Sequence, residues 1–205
     1  MANQDASFGL RPVRYRNGSP WNGQARQYYV PATDNTAIFV GDCVVHVGDS
    51  NDNEIFGNPP GSLLEVTRAT AGDTPGTGTF ITGVVVGVVP VTGDSLVYRA
   101  ASTERILLVC DDPDVIFEIQ ADGTVTADTM GLNAVLIDTN SGSTVTGRSG
   151  TELDTTSDVP AADASNQLLI LGLAKKPNND LASANPILEV MINAHTHLQP
   201  ALGIA

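Results

Sequence analysis

The residues best suited to chemistry are few in this sequence, and their spacing does not assemble a reaction centre. Gly93-Asp94-Ser95-Leu96 spells a tetrapeptide used by serine hydrolases, but such a serine needs a His base held by an Asp three residues before it. The positions three before His195 and His197 are Ile192 and Ala194, and the α/β scaffold that would position the serine is not expected. His195-Thr196-His197 would set two imidazoles on one face of an extended strand, where they could share zinc or nickel. His46 is the only other histidine and no third ligand can be named, so the pair is read as a partly exposed strand end without metal.

The oxygen-rich runs fail in a similar way. Asp49-Ser50-Asn51-Asp52-Asn53 begins like a calcium loop, but Glu54 stands where such a loop needs Gly and Pro60 where it needs the closing Glu. Asp111-Asp112-Pro113-Asp114, lying between two apolar runs, reads as a tight turn rather than a calcium site. Gly76-Thr77-Gly78 has no helix after it and no Lys-Ser or Lys-Thr, so it makes no phosphate cradle. With three His and two Cys so placed, no nucleophile or acid–base group can be given an orienting partner. The expectation is a non-enzymatic protein with no cofactor.

The elements around these residues are those of an all-β chain. Its 205 residues are 41% apolar, enough for a real core, and Lys occurs only at Lys175 and Lys176. Twenty Gly and twelve Pro cut the sequence into short pieces, as in a β-sandwich, jelly-roll or barrel-like body with minor helix. Strands are expected at 37–47, 63–70, 79–89, 95–101, 105–110, 115–120, 134–138, 143–148, 168–174 and 187–194. Asp122-Gly123 predicts a hairpin pairing 117–120 with 124–126, and short helical turns are conceivable only near 159–165 and 180–184. The long polar loops 48–61 and 71–78 read as contacts to neighbouring subunits. The apolar stretch 84–91 is far too short to cross a bilayer.

Charge divides the chain. The formal net charge is −13, yet residues 1–30 hold Arg11, Arg14, Arg16 and Arg26 against Asp5 alone. An acidic body argues against nucleic acid or an anionic membrane as partner, while the basic segment suits an acidic protein surface. Residues 1–31, which include the single Trp, are therefore read as an extended basic and aromatic arm preceding a β-rich body at 32–205. A boundary near 90–102 would divide that body into two subdomains. Cys43 and Cys110 are expected as buried free thiols. The N-terminus lacks the apolar core of a secretory signal.

Four segments carry a resemblance. SFGLRPVRYRNGSPWNGQARQYYVP at 7–31, LLVCDDPDVIFEIQ at 107–120, GRSGTELD at 147–154 and INAH at 192–195 are similar to a group of tailed-phage and prophage structural proteins. The resemblance implies a virion protein. Size, acidity and β character narrow it to a capsid decoration (cement) protein, made in the host cytoplasm, that binds the outside of the mature head and stabilises capsomer joints. The implied partner is the major capsid protein, with the chain a homo-oligomer, trimer preferred over dimer. Expected capsid contacts are Phe8, Arg11, Arg14, Arg16, Trp21, Arg26, Tyr28 and Tyr29. Alternatives are a tail or neck component and a virion surface-binding module.

Overall fold

A computed structural model describes residues 3–72 and 80–198. Thr79 and the 76–78 glycine run lie outside the described residues, as does most of the loop expected at 71–78.

The chain is all-β. Strands β1 (Arg11–Tyr15), β2 (Arg26–Val30), β3 (Cys43–Ser50), β4 (Leu64–Arg68), β5 (Gly83–Val88), β6 (Arg105–Cys110) and β7 (Val115–Gln120) are followed by β8 (Asn133–Ala134), β9 (Leu136–Ile137), β10 (Glu152–Leu153), β11 (Leu168–Leu173) and β12 (Ile187–Ile192). The single helical element among the described residues is a 3-10 turn at Ala127–Thr129. The segments 159–165 and 180–184 hold turns and bends only. No helix is long and apolar enough to cross a membrane, among the described residues.

Five strands close into a barrel in the order β2-β4-β3-β5-β6, and five others form a sheet in the order β1-β7-β12-β11-β8. The period-2 alternation of β residues joins these two layers. Val44, Val85, Leu107 and Val109 point into the barrel with Tyr28, Val30, Ile38 and Val66. Their neighbours Cys43, Val45, Val84 and Cys110 point out, against Phe117, Ile119, Leu168, Ile170 and Leu188 of the sheet, in the largest core cluster. Both cysteines are free and buried. Burial raises the pKa of both thiols, that of Cys110 to about 12, which keeps them protonated and unreactive.

Several expected elements are placed differently. The passage from barrel to sheet falls at 111–114, between β6 and β7, rather than at 90–102. Segments 95–101 and 143–148 are not strands; each contributes one isolated bridge, Ile38↔Arg99 and Val40↔Arg148. The Asp122-Gly123 hairpin does not form. Both edges of β7 are already taken, by β1 and β12, and Asp122 instead accepts hydrogen bonds from the backbone N and Oγ1 of Thr155 at 2.8 and 2.7 Å.

The largest correction concerns the N-terminus. The described residues of the segment expected as an extended arm at 1–31 do not form one, because β1 is an edge strand of the sheet against β7 and β2 is a stave of the barrel against β6. Gly9 explains how the chain enters. It has φ +71, and a Cβ there would lie 2.4 Å from the Gly41 carbonyl oxygen, so only glycine allows Leu10 N–H to reach that oxygen at 2.8 Å. Leu10 then drops into the core at 2% exposure.

Candidate partner-binding surface

The eight residues expected to contact a capsid separate into three groups. Tyr28 and Tyr29 are buried. Their hydroxyls donate to Asp111 Oδ2 and Glu104 Oε1, each at 2.8 Å, and burial followed by the carboxylate partner holds both phenols protonated. They are core residues and offer nothing to a partner, which corrects their expected role.

The four arginines find their acidic surface within the chain. Arg11 pairs with Glu118, Arg14 with Glu189, Arg16 with Asp114 at 2.9 Å and Arg26 with Asp111 at 3.4 Å. The basic patch seen in sequence is therefore largely neutralised at home, by carboxylates that folding brings from a hundred or more residues away or from the 111–114 turn. That segment is a turn, as expected: Asp114 N–H donates to Asp112 Oδ1 at 2.9 Å.

Phe8, Arg11 and Trp21 form the third group, and the fold brings them together. With Leu10, Pro12, Val40, Val85 and Arg148 they line an open apolar groove of about 330 Å³. The Arg11 guanidinium lies over the Phe8 ring, 4.9 Å from its centroid. The floor comes from β5, where a bulge between Val85 and Gly87 displaces Val86 from the ladder. Arg148 stands exposed at the rim and has no ion pair among the described residues. It comes from a distant loop, so sequence reasoning had no signal for it.

Next to the groove two loops carry a second apolar feature. Val145 is 87% exposed, Val97 58% and Leu96 48%. The loops touch, since a Cβ on Gly147 would lie 2.6 Å from Val97 Cγ2. They are anchored beneath by Phe39, which stacks on Tyr98 at 4.8 Å, and by buried Asp42. The Asp42 carboxylate accepts hydrogen bonds from Phe39 N–H at 2.7 Å and from the Ser149 and Thr151 hydroxyls. The protruding valines thus sit on a base held by stacking and by buried hydrogen bonds.

The histidine pair does not lie on a common strand face. His195 is fully buried and His197 exposed, at a turn with ring centroids 5.3 Å apart. Desolvation, then the neighbouring His197, lowers the His195 pKa to about 4, so it is a neutral core residue at physiological pH. No group of three or more His, Cys, Asp or Glu side chains able to hold a metal occurs among the described residues. Comparison of the chain with protein-family models, curated proteins and solved structures finds no match.

Proposed function

We propose that this chain is a structural protein of a tailed-phage virion, a head decoration protein that binds the outside of the mature shell and stabilises joints between capsomers. The observation that carries the reading is the pair of touching loops that expose Leu96, Val97 and Val145 on a rigid, acidic β body. Apolar side chains held outward on anchored loops lose little entropy on docking, and the acidic remainder disfavours nucleic acid and keeps decorated particles apart. The resemblance of residues 7–31 to phage structural proteins points the same way. Contact with the major capsid protein shifts from the expected N-terminal segment to these loops.

The mechanism is linkage. A protein that binds the expanded shell and not its precursor stabilises the expanded state by mass action, without any covalent step. The test is co-sedimentation of the purified protein with expanded shells that lack it and with unexpanded procapsids. Saturable binding to expanded shells alone is the expected result. Absence of binding to either would overturn the head assignment in favour of a tail or neck component.

A further inference from the structure

The loop between β3 and β4 ends in a structure with no evident use inside the monomer. Ile55 and Asn58 exchange backbone hydrogen bonds, both 2.9 Å, across a two-residue turn of Phe56 and Gly57. Both turn residues have positive φ, 47° and 84°, a geometry that favours Asn or Gly at the first position and penalises an aromatic residue. Phe56 nevertheless occupies it, with half its surface exposed.

The loop is built to hold that position. Asn51, 1% exposed, donates from Nδ2 to the Asn53 and Pro59 carbonyls, and its Oδ1 accepts from Leu63 N–H, all at 2.9 Å. Asp52 and Glu54 lie in the loop, Asp49 at the end of β3 and Glu65 near the start of β4, and none has a cationic partner among the described residues. Burial, then Asp49, Asp34 and Asp52, raises the Glu65 pKa, a sign of uncompensated negative charge. The tip is an aromatic knob in an acidic collar.

The Phe8–Trp21 groove is apolar and carries Arg148 at its rim, the polarity and charge that suit such a tip. A volume of about 330 Å³ has room for a phenyl ring, since a cavity of roughly 150 Å³ already accepts benzene. Arg148 at the rim lacks the carboxylate that the collar could supply. We propose that Phe56 of one copy seats in the Phe8–Trp21 groove of a second copy, with Glu54 meeting Arg148. The contact is heterologous, one face meeting a different face, so it propagates until a ring closes. This proposal is independent of what the ring decorates.

Sedimentation velocity on the full chain tests it with Phe56→Asn and Arg148→Glu. The unaltered protein is expected as a closed oligomer larger than a dimer. Each variant should lose association by about tenfold or more. Phe56→Asn relieves the positive φ at that position, so its monomer should keep a cooperative thermal transition and the circular dichroism of the unaltered protein, which separates loss of assembly from misfolding. An equimolar mixture of the two variants should form dimers, since one contributes an intact groove and the other an intact knob. Dimer-free mixtures, a monomeric unaltered protein, or variants that assemble as it does would each overturn the proposal.

Discussion

The barrel interior and the outer face of β7, in the five-stranded sheet, are both closed to solvent, by opposite means. Inside the barrel, Val30, Ile38, Val44, Val66, Val85, Leu107 and Val109 pack as an apolar plug. On the outer face of β7, buried Glu118 and Gln120 are covered by polar bonds. Glu118 takes Arg11 and Lys176, while Gln120 donates to the Gln4 and Asn185 carbonyls at 2.7 and 3.1 Å and accepts from Ala6 N–H at 2.9 Å. The barrel is held by area removed from water; the sheet's cover is held by directional bonds whose partners must all be present.

The N-terminal segment belongs to both regions, and removing it produces the largest effect. Deleting residues 2–30 takes away a barrel stave and the sheet's edge strand together, so circular dichroism and thermal unfolding should show no cooperative fold. A folded remainder would mean the barrel tolerates an open seam.

Arg99 comes next. Although it closes one end of the apolar barrel, it is fully buried, and it donates to the carbonyls of Thr103, Pro31 and Asp34, each at 2.7 Å, and of Thr36. Arg99→Met strands those carbonyls and should cost about 3–5 kcal/mol in denaturant unfolding. Leu107→Ala, a simple cavity in the plug, should cost about 2–4 kcal/mol.

Glu118→Gln tests the polar cover and should cost about 1–3 kcal/mol. Burial pushes the Glu118 pKa up, but hydrogen bonds from Lys176 and Arg11 outweigh it and leave the value below 4.5. Its stabilisation is therefore complete above pH 4.5 and lost as pH falls through the lower folded value. The effect confined to acid pH belongs to His195, whose folded pKa of about 4 lies below its ordinary 6.5. The unfolded chain takes up that proton first, so stability should decline as pH falls from 6.5 towards 4. Replacing His195 by Gln should flatten that part of the unfolding profile.

Apolar alternation made much of this legible from sequence. The expected bounds of β6 and β7 match the strands observed, and β11 and β12 lie within their expected ranges. Composition could not distinguish an arm from strands paired with distant segments: Pro12 meets Phe117, and Tyr28 meets Leu107. The segments 95–101 and 143–148, each with one valine among β-prone residues, look like strands, yet Val97 and Val145 are exposed on loops. For the candidate surface, Phe8, Arg11 and Trp21 were visible as an aromatic and basic cluster. Arg148 and Phe56 were not, because the first gains meaning only from the fold and the second only from its backbone conformation.

Electron cryomicroscopy of expanded shells saturated with the protein tests the central claim most directly. The account predicts density over the joints between capsomers, with the loops bearing Leu96, Val97 and Val145 against the shell. Density confined to the tail or neck, or those loops facing solvent on the head, would contradict it.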